Sequence, residues 1–159
     1  MSPGIIIEFA VRCLLVVLFL PFSALDKIFN FHGAVTKLIT LAVPSSKLAT
    51  GLILAGLAVE IFMPLGIVTG IADRLAAFVL GGYCVVTALL EKKFWLPGDF
   101  WHRGDSKARD LFWDFLKNCS LAGGFMLLAF GTSSVSANHF LTHPLSSSHP
   151  YEKQRSFVP

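Results

Sequence analysis

Glu8, Arg12 and Glu60 lie inside long apolar runs, and Lys27 closes the first of those runs. A charge held within a bilayer core costs about 3 kcal/mol or more unless it is paired or faces a polar cavity. Each of the four is therefore a candidate for chemistry. At a rise of about 1.5 Å per residue, Arg12 and Glu60 sit at matching depths in their runs. An arginine fork suits a carboxylate, so the spacing predicts that Arg12 and Glu60 pair across the bundle. Glu8, one turn from Arg12, is a second partner. Pro64 adds to this, because a proline deprives the carbonyl four residues back of its helical donor, and that carbonyl is Glu60's. One turn at mid-membrane then offers a carboxylate and a free backbone oxygen. Such a pocket can bind water, a quinone carbonyl or an ionic partner. The same residues also fit a purely structural ion pair that fixes helix register.

The elements that position these groups follow from composition. Of 159 residues, 54% are apolar and 14% charged. The apolar ones fall in four runs, residues 5–25, 48–71, 75–90 and 111–131, each roughly the 20 residues that cross a bilayer or slightly fewer. The fold expected is all-α, an integral membrane four-helix bundle. Residues 34–43 are apolar but too short to span, which predicts a short interfacial or re-entrant helix between spans 1 and 2. Residues 1–131 read as one membrane domain and 132–159 as a polar tail, disordered or held by a partner through Phe140, Leu141, Leu145, Tyr151 and Phe157. Pro21 is expected to bend the first helix about one turn before its end. That helix reads as retained, since no basic residue precedes it and no small-residue cleavage site follows. The length leaves no room for a Rossmann or P-loop unit, and no glycine-rich phosphate loop appears.

Loops 26–47 and 91–110 carry eight lysines and arginines, against three at Arg74, Lys153 and Arg155. The positive-inside rule then places both loops in the cytoplasm and both termini in the periplasm. Trp95, Trp101 and Trp113 all lie in or beside the third loop. There indole rings can form an interfacial belt, a docking surface or a lid over a lipophilic substrate. Gly66 and Gly70 have the GxxxG spacing of a helix-packing face. Asp110, Asp114 and Lys117 share a stripe at the start of the fourth helix, where acidic residues favour the dipole. Cys13, Cys84 and Cys119 form no C-x-x-C motif and read as small buried residues. The five histidines lie in loops or the tail, so neither haem nor metal binding is expected.

These features resemble the DoxX-like family of bacterial membrane proteins. The resemblance rests on Arg12 followed by F-S-A-L-D-K-I-F at 22–29, and on E-I-F-M-P-L-G-I-V-T-G-I-A-D-R-L-A-A from Glu60. It ends with K-N-C-S-L-A-G-G-F-M-L-L-A at 117–129, where Gly123 and Gly124 are further packing candidates. The chain departs from the family at Ala24, where a glycine is usual, and lacks the paired cysteines of those members linked to disulfide chemistry. The resemblance implies a four-helix protein of the bacterial inner membrane, associated with respiratory or redox complexes.

Three functions are open on this reading. The first is a non-catalytic membrane subunit that anchors or stabilises a redox complex, with no cofactor bound directly. The second is a quinone-interacting oxidoreductase subunit using Arg12, Glu60 and Lys27. The third and weakest is a small carrier for a lipophilic solute, because four helices without internal repeats make a poor alternating-access device. Expected partners are other membrane or redox-complex subunits and the lipid bilayer, with no nucleic acid.

Overall fold

A computed structural model describes residues 2–152, and every regular element in that range is helical. The order is α1 (Pro3–Val16), a π-helical segment (Leu18–Ser23), α2 (Ala24–Phe29), α3 (Phe31–Leu41), α4 (Ser46–Thr69), α5 (Asp73–Glu91), α6 (Lys107–Phe130) and α7 (Ser134–Thr142). Pro3 opens α1 at a position where its missing N–H costs nothing. Pro21 sits inside the π segment. Wider turns absorb a lost donor without ending a helix, so the first span continues to Phe29 rather than stopping at Leu25. Asp26 and Lys27 therefore lie on a helix and not in a loop.

Pro3–Phe29, Ser46–Thr69 and Asp73–Glu91 are long and apolar enough to cross a membrane. The fourth crossing differs from the sequence reading. Its charged first turns leave α6 short of apolar length, and it is long and apolar enough to cross only together with α7, across an 80° bend that follows Phe130. The short helix expected between spans 1 and 2 is α3. It packs on α4 and is tied to the end of α5 by Lys37–Glu91 and by Lys93 donating to the Leu41 carbonyl.

The core centres on α5. Its buried positions Ala76, Ala77, Leu80, Gly81, Cys84 and Ala88 recur every three to four residues, and the small ones let neighbouring helices approach. A Cβ on Gly81 would lie 3.2 Å from the Phe125 Cβ, which marks a tight α5–α6 contact. Val16, Phe19, Ile67 and Phe125 complete the centre, while Leu14, Phe22 and Phe62 point outward as lipid-facing residues do.

The glycines chosen from sequence have separate fates. Gly66 packs against Ala76 of α5, with its Cβ position 3.1 Å from that side chain. Gly70 is instead the left-handed cap of α4, with φ 78°, lying under Pro150. Gly124 faces Leu15, and Gly123 meets nothing within 4 Å.

The tail also differs from its reading as disordered or partner-bound. As far as Glu152 it folds back on the bundle, with Phe140 buried in α7 and residues 147–151 laid across the α4–α5 turn. Lys153, Arg155 and Phe157 lie outside the described residues.

Candidate functional site

Two charged clusters occupy the interior. The first lies towards the loop-side face. Glu60 on α4 is 2% exposed, and its Oε1 accepts from Lys27 Nζ at 2.5 Å, Tyr83 Oη at 2.8 Å and Ser23 Oγ at 2.9 Å. Its Oε2 is buried without a hydrogen-bond partner. Ser23 and Lys27 are one turn apart on the continuous first span, which is why both reach the same carboxylate.

The second cluster lies towards the termini. Arg12 donates from Nε to Glu8, from Nη1 to Asp73 and to the Ile67 carbonyl, and from Nη2 to Ser148, each at 2.8 Å. Asp73 also accepts the Ser148 amide at 2.9 Å and its hydroxyl. Tyr151 donates to the Val68 carbonyl, and burial raises its phenol above the usual value, keeping it a donor.

Arg12 and Glu60 therefore do not pair, contrary to the sequence reading, and each charge has its own partners. Arg12 reaches the carbonyl of Ile67, seven residues and about 10 Å along α4 from Glu60. The expected Glu8 contact is present. Sequence reasoning missed Asp73 and Tyr83. Asp73 falls between the apolar runs 48–71 and 75–90, and its place next to a span end was a usable signal. Tyr83 sat in an apolar run with nothing to distinguish it except its hydroxyl, which needs a partner when buried.

The Glu60 cluster opens onto space. An apolar cavity of about 250 Å³ lies between α4 and α5, walled by Leu52, Ile53, Val59, Val86 and Leu90, with Lys27 and Tyr83 at its polar end. A smaller cavity of about 130 Å³ touches Glu60, Tyr83, Thr87, Glu91 and Asn118. A third, of about 310 Å³, runs from Lys27 and Asp26 beneath α3. Mostly apolar walls with a few convergent polar groups are the usual composition of a small-molecule site.

The third loop is built as a cap for α6. Ser106 accepts the Arg109 amide, and Asp99 accepts the Lys107 and Ala108 amides. Partial desolvation acts to raise the Asp99 carboxyl, but the N–H donors of Ala108 and Lys107 outweigh it and hold it below its ordinary 3.8. Phe94 stacks edge-on with Trp95, Phe112 and Phe115, while Trp101 stands 91% exposed and Trp113 faces outward. Asp114 bridges Lys92 and Lys117.

The helical fold and interior charges define a small multi-pass membrane protein. The chain belongs to the DoxX family, whose model matches residues 7–93. No curated protein and no solved structure matches it. The matched stretch contains Glu8, Arg12, Lys27, Glu60, Asp73 and Tyr83, every ionisable group of the two clusters except Tyr151.

Proposed function

We propose that this protein is the quinone-binding membrane subunit of a bacterial respiratory or redox complex, seated in the inner membrane with its termini periplasmic. The carrying observation is Glu60 Oε2, buried and unpartnered among the described residues, on a carboxylate that lines the cavity of about 130 Å³ and is held by Lys27 and Tyr83, which also line the apolar groove. A buried acceptor without a donor costs about 1–3 kcal/mol, and a ligand hydroxyl reaching the cavity that Glu60 lines would satisfy it. Lys27, whose third N–H meets the Tyr83 oxygen only at 3.5 Å, is the donor for a ligand carbonyl, while the one Tyr83 hydrogen is held by Glu60. Bound quinone supplies paired electron and proton exchange, with electrons passing to or from a partner subunit. The chain's part is to hold the ring in the groove, to donate from Lys27, to orient Glu60 through Tyr83, and to take or release a proton at Glu60.

A second reading, a non-catalytic anchor, is favoured by Trp101 and its aromatic neighbours at the tip of the third loop, a surface suited to a partner. Purification in mild detergent, with extracted quinone and co-purifying proteins both quantified, separates the two. The quinone reading expects about one quinone per chain, lost in Glu60→Gln and reduced in Tyr83→Phe at normal membrane abundance. An anchor expects partners without stoichiometric quinone, and Glu60→Gln acting only by lowering abundance.

A further inference from the structure

Among the described residues Arg74 is a cation without a counter-ion. It stands in the first turn of α5 and donates only to Ser136, at 3.4 Å to the carbonyl and 3.2 Å to the hydroxyl, while its Nε is buried with no partner. None of the ion pairs formed among the described residues includes it. The adjacent carboxylate, Asp73, is already committed to Arg12 and Ser148. A half-buried guanidinium in this position calls for an anion.

The space for one is present. Arg74 lines an open recess of about 780 Å³ at the termini-side end of the bundle, with Glu8 and Glu152 among its polar walls and Leu127 and Leu128 among its apolar ones. Arg12 also lines it but is committed to Glu8 and Asp73. Glu8 gives Oε1 to Arg12 and Glu152 gives Oε1 to His149, which leaves a second oxygen on each, beside the uncompensated Arg74 and an apolar wall that the exposed Leu127 carries to the surface. That combination matches a zwitterionic phospholipid. A phosphate is complementary to the guanidinium fork, a primary ammonium to the carboxylates, and an acyl chain to the leucines.

We propose that this recess binds the headgroup of phosphatidylethanolamine, with its phosphate on Arg74 and its ammonium at Glu8 and Glu152. Phosphatidylglycerol brings the phosphate but no cation for the carboxylates. Phosphatidylcholine brings a quaternary ammonium with no N–H to donate.

Native mass spectrometry of the full chain, released from detergent supplemented with each lipid in turn, tests this. The expected result is one retained phosphatidylethanolamine per chain, several-fold over phosphatidylglycerol and phosphatidylcholine, falling to the phosphatidylcholine level in Arg74→Gln. Leu127→Trp leaves Arg74, Glu8 and Glu152 in place and narrows the apolar wall. It should lower retention several-fold, and it decides the matter if Arg74→Gln does not fold. Equal retention of the three lipids, a preference for phosphatidylglycerol, or retention unchanged in both variants overturns the proposal. So does complete displacement by millimolar inorganic phosphate, which would assign Arg74 to a free oxyanion.

Discussion

The Arg12 guanidinium meets the Asp73 carboxylate at 2.8 Å across 61 residues of sequence, with 3% and 0% of the two side chains exposed. This pair joins α1 to the start of α5, and Ser148 brings the tail onto the same two groups. Helices in lipid gain little from hydrophobic burial against one another, so polar contacts of this kind carry much of the specificity of their assembly. The following predictions are hypotheses drawn from such contacts.

Asp73→Asn should leave the Arg12 charge buried with Glu8 as its remaining carboxylate. Breaking a buried pair costs about 3–5 kcal/mol, less what Glu8 restores. Membrane abundance and thermal unfolding in detergent should both fall, and the double variant Arg12→Met/Asp73→Asn should recover part of the loss. A double variant no better than Asp73→Asn alone would mean that the charge left behind is not the source of the damage.

Gly81→Ala places a methyl 3.2 Å from the Phe125 Cβ and 3.4 Å from the Ala122 carbonyl. Overpacking at such a contact costs about 1–3 kcal/mol. Gly82→Ala, with nothing within 4 Å, should be neutral or gain up to about 1 kcal/mol in helix propensity. Unfolding of the two variants under identical detergent conditions gives the comparison, and equal stabilities would argue against a tight α5–α6 seam.

Asp99 links pH to the third loop. Its folded carboxyl titrates below its ordinary 3.8, so the stabilisation from the Lys107 and Ala108 amides is complete above the unfolded value and is lost as pH falls through the folded one. Hydrogen exchange at those two amides, corrected for intrinsic rates, should lose protection only on acidification below about pH 4. Asp99→Asn should show weaker protection and no such transition. A wild-type transition near neutrality would point to another group.

Orientation is open to a direct chemical test. With Cys13, Cys84 and Cys119 replaced by serine or alanine, a cysteine at Trp101 should resist an impermeant thiol reagent applied to intact cells. A cysteine at Leu145, exposed at the opposite end, should react. The reverse pattern would place the third loop in the periplasm and invert the positive-inside assignment.

Ser148→Ala removes the hydroxyl bonds to Asp73 and Arg12 while keeping the backbone amide contact. The tail should then be cut by protease at lower concentration than in the wild type, with the membrane helices intact. Unchanged resistance would assign the holding role to Tyr151 and Pro150 over Gly70 instead.

Hydropathy and spacing by themselves determined that this is a helical membrane protein. Long apolar runs admit one solution in lipid, where every backbone N–H and C=O must be satisfied within its own segment. The same reasoning located α3 and the Glu8–Arg12 contact, which is one turn of one helix and needs no tertiary information. It also marked Arg12, Glu60 and Lys27 as charges that the fold must accommodate.

Which charge meets which was decided only by tertiary structure. Depth along a run does not fix the rotation of a helix about its axis, nor how a π segment at Pro21 carries Lys27 past the expected helix end to reach Glu60. Asp73 at the start of α5 meets Arg12 of α1, and Tyr83 further along the same helix meets Glu60 of α4. Ser148 reached Asp73 because the chain bends by 80° after α6 and returns over the turn. These contacts join residues far apart in sequence, and their pairing depends on helix rotation and chain path, which local periodicity does not encode.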